Sequence, residues 1–371
     1  MCMLERNLSE LDGQKFDLIV VGGGIFGCCA AWDAAQRGLS VALIEKGDFS
    51  HATSANHFKM VHGGIRYLQH GDVLRVRESS RERSALLRIA PHLVQPLPIV
   101  IPTYGHGTKS KEFLGAGMLL YDLITFDRNR GLQVERKIPR GRYLSRQKVI
   151  DLFPGIKEKS LTGGAVFCDG QMYNPPRLAI SFLRSAKRQG AIAANYLEVK
   201  GVMRRGDGVA GVYAQDLFSG DQLEIQGDFV LNTAGPWAHR LLESESGLKL
   251  KPRPTFSRDL ALVIRRKPRH NLGVAFSTIS KDSDAIFDRG GRHLFTVPWR
   301  NFTLIGVWHV VFEGPPEDIS VSEKELRAFV AEVNAGFPGL NISLGDIHMI
   351  NTGLTLFGEE GKQGSQSISF G

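Results

Sequence analysis

An apolar run, Phe16 to Val21, is followed by a glycine turn, GGGIFG, then by the helix-length stretch CCAAWDAAQRG and a second apolar run, LSVALIE. That order predicts strand, tight turn, helix and strand, a βαβ unit of about thirty residues. A polar, glycine-bearing connection from Lys46 to Asp72 follows, too long for a simple turn and therefore expected to be functional. Residues 72–90 read as a helix with five arginines, Arg75, Arg77, Arg81, Arg83 and Arg88, most of them expected on a solvated face. Residues 96–104 read as a strand between prolines, and 112–126 as a short apolar helix with basic residues at its ends. That helix is expected on a membrane surface, at a subunit interface or buried within the protein.

Residues 163–175 lead into a helix that stops at Gly190, and three strands follow, around 195–203, 208–216 and 223–235. A helix and a strand hairpin returning to an apolar strand is the pattern of a second pass through the first domain. The last of these strands ends in the small residues Thr233, Ala234 and Gly235, where backbone can approach a ligand at the strand's carboxyl end. After Leu250 the runs ALVIRR, HLFTVPW and FTLIGVWHVVF read as strands of an antiparallel sheet in another domain. Ser322 and Glu325 have capping-box spacing at the start of a helix. The fold class is α/β, a Rossmann-like nucleotide-binding domain with a second, mainly antiparallel domain.

Composition narrows the class only slightly. The 371 residues are 42% apolar and 23% charged, as in an ordinary globular protein. Cys2, Cys28, Cys29 and Cys168 form no CxxC pair, so neither a disulfide framework nor a zinc site is expected. The N-terminus lacks a basic segment followed by an apolar stretch, and no transmembrane helix or export is expected. A net charge of +8 suits nucleic acid, an anionic membrane surface or an anionic substrate, and nucleic acid is the weakest of these because no binding signature accompanies it.

The chemistry is concentrated in the first unit. Gly22 permits the tight turn, Gly24 the close approach of a pyrophosphate and Gly27 the packing of helix on strand. The helix N-terminus then aims unpaired N–H groups at phosphate. Glu45, eighteen residues after Gly27, closes the second strand where a carboxylate accepts hydrogen bonds from a free ribose. Thr53, Ser54 and Asn56 are candidate phosphate donors, and Gly63 and Gly64 allow backbone to lie against a flat ring. This unit does not choose between NAD and FAD.

Four segments together, VVGGGIFG, KMVHGGIRYL, DGQMYNPPRL and FVLNTAGPWA, resemble in order and spacing the FAD-dependent glycerol-3-phosphate dehydrogenases, within the glycine-oxidase-like flavoproteins. The resemblance implies FAD, held by Gly22, Gly24, Ile25, Phe26, Gly27, Glu45 and Lys46, with Thr53, Ser54, Lys59, Met60, His62, Gly63 and Gly64 along the pyrophosphate and flavin. It implies Val199 at the adenine and Ala234 and Gly235 near the cofactor, with Arg66 and Tyr67 in the substrate pocket. The implied domains are FAD-binding at 14–83 and 160–242, and substrate (cap) at 84–159 and 243–350, with 351–371 beginning a return to the FAD domain. The implied reaction is hydride transfer from glycerol 3-phosphate to flavin, yielding dihydroxyacetone phosphate, with electrons passed to a membrane quinone. A cytoplasmic protein, peripheral on the inner membrane face and compatible with a homodimer, fits that chemistry.

Arg66 is the candidate phosphate anchor, because a guanidinium fork matches phosphate oxygens. His62 is the candidate base for the hydroxyl proton. The pattern departs from the family at the substrate end. Thr355 stands where the family's GVRPL carries arginine, and Leu260 where a histidine is expected, with Arg258 two positions earlier as a candidate replacement. The chain also stops at SISFG, before the glycine-rich segment by which the family completes its flavin site. Two alternatives follow from these departures: a flavin oxidase acting on an amine or another hydroxy compound, and a flavin-binding module without catalysis.

Overall fold

The computed structural model describes residues 6–106, 110–246, 255–278 and 293–357. The strands are β1 (Lys15–Val21), β2 (Val41–Ile44), β3 (Met60–Val61), β4 (Val94–Tyr104), β5 (Arg142–Ser145), β6 (Leu161–Met172), β7 (Ile192–Ala194), β8 (Leu197–Arg205), β9 (Gly208–Asp216), β10 (Gln222–Asn232), β11 (Thr255–Ile264), β12 (Gly273–Ser277), β13 (His293–Trp299), β14 (Phe302–Phe312) and β15 (Ile347–Phe357). The helices are α1 (Ile25–Gln36), α2 (Val73–Ile89), α3 (Lys111–Ile124), α4 (Arg146–Leu152), α5 (Pro175–Arg188), α6 (Ala238–Ser246) and α7 (Glu323–Gly336).

The expected βαβ unit is β1–α1–β2. It anchors a six-stranded sheet of order β7-β2-β1-β10-β9-β8, parallel from β7 to β10 and closed by the antiparallel β8–β9–β10 meander. All four residues of β2 are buried, because α1 and α5 cover one face and the meander's apolar side chains fill the other.

The second sheet has nine strands, with the path β15-β11-β14-β13-β12-β4-β6-β3 and β5 beside β6, antiparallel except for β12 with β4. Its strands sort their side chains by the two-residue period. Leu260, Leu262 and Ile264 pack with Phe329 and Val333 of α7 on one face. Val263, Leu304 and Trp299 form a separate core on the other, joined by Phe58, Met60 and Ile65 of the long connection. That connection therefore leaves the first sheet at β2 and docks on the second, so the space between the sheets is walled by it.

Several expectations are corrected here. Residues 163–172 lie in a twelve-residue strand, β6, that belongs to the second sheet, although 160–242 was expected in the cofactor domain. Its glycines and Cys168 disguise it, yet Leu161 and 163–170 are buried because strands flank it on both sides. Met60 and Val61, expected in 14–83, likewise pair with Gln171 and Gly170 of the second sheet. Residues 351–357, expected to begin a return to the first domain, continue β15 along β11. The remaining residues of that segment, 358–371, lie outside the described residues. Ser322 and Glu325 do form the capping box of α7.

Candidate functional site

The glycine turn is built as its sequence requires. Gly22 has φ +107°, and a Cβ there would lie 2.5 Å from the Thr233 carbonyl oxygen, so only glycine lets β10 come this close. Thr233 in turn donates its hydroxyl to the Val21 and Gly22 carbonyls, each at 2.9 Å. A Cβ on Gly27 would meet the Gly22 carbonyl oxygen at 1.9 Å. The N-terminus of α1 is thus pressed onto the turn, and Gly24, Ile25 and Phe26 line the space above it.

Above this turn lies a cavity of about 690 Å³, within the size range of small-molecule and cofactor sites. Its walls include Gly22, Gly24, Ile25, Phe26, Glu45 and Lys46 from the βαβ unit, Ser50 to Ser54 and His57 from the connection, and Val199 of β8. Thr233 to Trp237 close one side and Leu354 to Leu356 another. Eleven of the cofactor residues expected from the resemblance therefore share one cavity: Gly22, Gly24, Ile25, Phe26, Glu45, Lys46, Thr53, Ser54, Val199, Ala234 and Gly235.

Glu45 is 6% exposed, and its two oxygens accept the N–H groups of Gly23 (2.6 Å) and Gly47 (2.7 Å). The carboxylate is fixed in place with lone pairs left for a ribose. Ser54 Oγ accepts the Ile25 N–H at 3.0 Å, which leaves its own O–H free to donate into the cavity. Thr53 differs from expectation. Its hydroxyl both donates to the Leu354 carbonyl (3.0 Å) and accepts the Leu354 N–H (3.1 Å), fastening the connection to β15 rather than serving a phosphate. Asn56 likewise spends its amide donors on the His51 and Ala52 carbonyls.

Lys46 is half-buried with Nζ 4.0 Å from the Trp237 ring centroid, and burial lowers its pKa. Trp237 Nε1 and Arg240 both donate to Glu317, at 2.5 and 2.6 Å. His57, which sequence reasoning missed, lines the cavity, and its Nδ1 accepts the Lys59 N–H at 2.9 Å. Burial, reinforced by the Lys59 cation, pushes its pKa down to about 4. Below its unfolded value near 6.5 the unfolded chain binds a proton that the folded ring refuses, so stability falls as pH drops from about 6.5 toward 4. A His57→Gln variant is expected to lose much of that slope, as read from unfolding midpoints at pH 4.5 and 7; an unchanged slope would refute the assignment.

The remaining expected residues lie off this cavity's walls. Lys59 is 3% exposed and donates to the Ala55 and His57 carbonyls and to Asn351, with its pKa lowered to about 8 by burial and by Arg300. Met60 sits in β3. Gly27 acts through packing. Gly63 and Gly64 are buried against α2 and α3 rather than facing a flat ring: a Cβ on Gly63 would meet Arg83 at 2.1 Å and Tyr121 at 2.2 Å, and Gly64 has φ +79°. The Gly63 N–H donates to Asp169 (2.6 Å), and Tyr121 donates to the Gly63 carbonyl (2.8 Å). Arg83, expected on a solvated face, is wholly buried and donates to the same Asp169 oxygen at 2.6 Å. His62 and Arg66 are exposed, and the His62 ring meets Tyr67 edge-on at 5.8 Å.

At the substrate end, Arg258 does not stand in for the expected histidine. Its guanidinium is engaged by Glu325 and the Ser320 carbonyl on the α7 side of the sheet, and Leu260 is buried on that same side. Thr355 lines the cavity, and its hydroxyl is buried with no protein partner. Ser50 carries a second such hydroxyl on the wall. Unpaired buried hydroxyls beside a bare glycine cradle fit an extended polar ligand with a phosphate centre. Among the described residues no group of three or more His, Cys, Asp or Glu side chains could hold a metal, and no helix is long and apolar enough to cross a membrane. Cys28, Cys29 and Cys168 are free thiols, each pushed up to about 12 by burial.

Comparison with known proteins names the ligand. Residues 17–361 match the family described as FAD dependent oxidoreductase. The chain is 34% identical over 364 residues to the glycerol-3-phosphate dehydrogenase of Synechocystis, covering 94% of this chain and 62% of that protein. It is 33% identical over 358 residues to an alpha-glycerophosphate oxidase of Streptococcus pneumoniae, covering 94% and 56%. The chain thus spans little more than half the length of these relatives. The crystal structure of the Bacillus halodurans glycerol-3-phosphate dehydrogenase complexed with FAD superposes with a TM-score of 0.71 at 24% identity, over 94% of this chain and 58% of that one. With residues 17–361 matched by that family, the chain belongs to the FAD-dependent oxidoreductases.

Proposed function

We propose that this protein oxidises glycerol 3-phosphate to dihydroxyacetone phosphate. The observation that carries the reading is the identity of 34% and 33%, over 94% of the chain, with two proteins named for the oxidation of this phosphate. Bound FAD supplies the hydride acceptor. Glu45 holds the ribose, the α1 N-terminus and Ser54 hold the diphosphate, and Val199 meets the adenine. Lys46, Ala234 and Gly235 complete the cradle. Arg66 anchors the substrate phosphate beside Tyr67, with His62 on the same turn.

The most direct test is anaerobic mixing of the flavin-loaded protein with a panel of phosphates, amines and hydroxy acids. Bleaching by glycerol 3-phosphate supports the reading. Bleaching by glycine or sarcosine alone replaces it with an amine oxidase of the same fold, the alternative favoured by the uncharged Thr355 on the cavity wall.

Electrons pass to a quinone at a membrane surface. In support, α3 carries an outward apolar face, with Leu119 64%, Leu120 50% and Leu123 63% exposed and Phe126 beyond it at 77%. Such a helix buries its apolar side at the headgroup boundary. A Leu119→Glu, Leu123→Glu double variant is expected to bind anionic phosphatidylglycerol vesicles about tenfold or more weakly, given the transfer energy of two leucines. Cosedimentation equal to that of the parent would exclude α3 as the contact.

A further inference from the structure

Oxidising an alcohol requires a base for the hydroxyl proton, and a base serves best when a second group fixes its ring and tautomer. The two histidines on the cavity wall are poorly placed for this. His51 stands at the Glu45 end with Nδ1 2.7 Å from the Asp48 carbonyl, and His57 is held neutral by burial with Nδ1 already accepting a backbone N–H. His62 is exposed, and the contact the structure gives its ring is the edge of Tyr67.

His309 is held differently. It lies on β14 opposite Asp259 of β11, with Nδ1 2.6 Å from Asp259 Oδ1. The same oxygen accepts the hydroxyl of Ser257 at 2.9 Å, and Ser257 is 4% exposed. A carboxylate is an acceptor only, so it fixes the ring proton on Nδ1 and leaves Nε2 as the acceptor. Base, orienting carboxylate and a third group holding the carboxylate form the arrangement by which proton acceptors are recognised.

The dyad also stands on the right side of the sheet. Asp259 pairs on its other flank with Gly353 of β15, which packs on Thr53 and the Asn56 carbonyl of the connection that walls the FAD cavity. Ser257 pairs with Thr355, itself on the cavity wall. Residues two apart on a strand share a face, so Ser257, Asp259 and His309 face the same side as Thr355, whereas Arg258 and Leu260 face α7. The side chains of His309 and Asp259 are 30% and 25% exposed, open enough to be reached.

We propose that His309, oriented by Asp259 and Ser257, is the proton acceptor for the substrate hydroxyl. The proposal rests on the reading of the substrate as an alcohol. As the carbonyl forms, the hydroxyl proton bonds to His309 Nε2, and bound FAD would supply the acceptor for the hydride of the breaking C–H bond. Asp259 then balances the imidazolium and acts as a positioning residue.

The test is anaerobic stopped-flow reduction of the full-length FAD-loaded protein by glycerol 3-phosphate in the parent, His309→Asn, His309→Gln and Asp259→Asn. Loss of the base is expected to slow flavin reduction by about 10²- to 10⁴-fold, with little change in substrate affinity and in the flavin spectrum. Asp259→Asn is expected to lower the rate of flavin reduction while leaving substrate affinity and the flavin spectrum unchanged, the split a positioning residue gives. Independently of turnover, histidine-labelled parent should show one ring ¹⁵N resonance, absent from both His309 variants, that moves on adding dihydroxyacetone phosphate. A parent that no alcohol reduces overturns the functional reading and this proposal with it. A parent that is reduced while His309→Asn and His309→Gln keep its rate, or whose His309 resonance ignores the ligand, overturns the proposal alone.

Discussion

Gly27→Val is expected to yield a folded protein that binds FAD between about fivefold and about 150-fold more weakly, since overpacking a rigid site costs about 1–3 kcal/mol and each 1.4 kcal/mol is tenfold in affinity. A Cβ at this position would lie 1.9 Å from the Gly22 carbonyl oxygen and 2.8 Å from Thr233 Oγ1. Neither atom can give way. The Gly22 carbonyl is held by the Thr233 hydroxyl at 2.9 Å, and its N–H is held by the Ile44 carbonyl at 2.8 Å. The N-terminus of α1 must therefore shift off the turn, taking its N–H groups with it. Gly24→Ala is the graded control, because its Cβ would meet only Ser54 Oγ, at 3.2 Å. Titration of apoprotein with FAD by flavin fluorescence checks both, with far-ultraviolet circular dichroism reporting the fold. Parental affinity in Gly27→Val would show that the turn does not carry the diphosphate.

The second large effect is on stability. Arg83→Met is expected to cost about 3–5 kcal/mol, because it leaves a buried carboxylate without its counter-charge. Asp169 is 5% exposed, and its Oδ1 accepts from both Arg83 and the Gly63 N–H at 2.6 Å. Methionine fills most of the space while removing the charge and the bond to the Cys168 carbonyl at 3.0 Å. Asp169→Asn in the same background should restore a large part of the loss, since the uncompensated charge disappears with it. Urea unfolding midpoints of the parent, both single variants and the double variant check this. A double variant that is as unstable as the sum of the singles would show that the pair is not coupled.

These two sites also mark where the sequence could and could not be read. The glycine turn was legible because its requirements are local: Gly22, Gly24 and Gly27 lie within one turn and Glu45 ends the next strand. Arg83 was not, since a helix arginine is solvated unless a partner is folded onto it, and its partner lies 86 residues away. The same distance hid the use of the Thr53 hydroxyl, taken up by Leu354 301 residues on. Strand β6 escaped because its glycines and Cys168 break the apolar pattern that strands on both flanks nevertheless bury. The antiparallel character of the later strands was visible from their runs, but not that β15 would extend that sheet along the cavity above the β1–α1 turn, nor that Asp259 and His309 would meet across neighbouring strands.

Everything in the functional reading depends on FAD lying in the cavity above the β1–α1 turn. The direct measurement is the visible absorption spectrum of the full-length protein, purified and then reconstituted with FAD and freed of unbound cofactor. Flavin bands at one FAD per chain in the parent, strongly reduced in Glu45→Ala, are the expected result. A colourless parent, or a Glu45→Ala variant that retains the cofactor as fully as the parent, would contradict it.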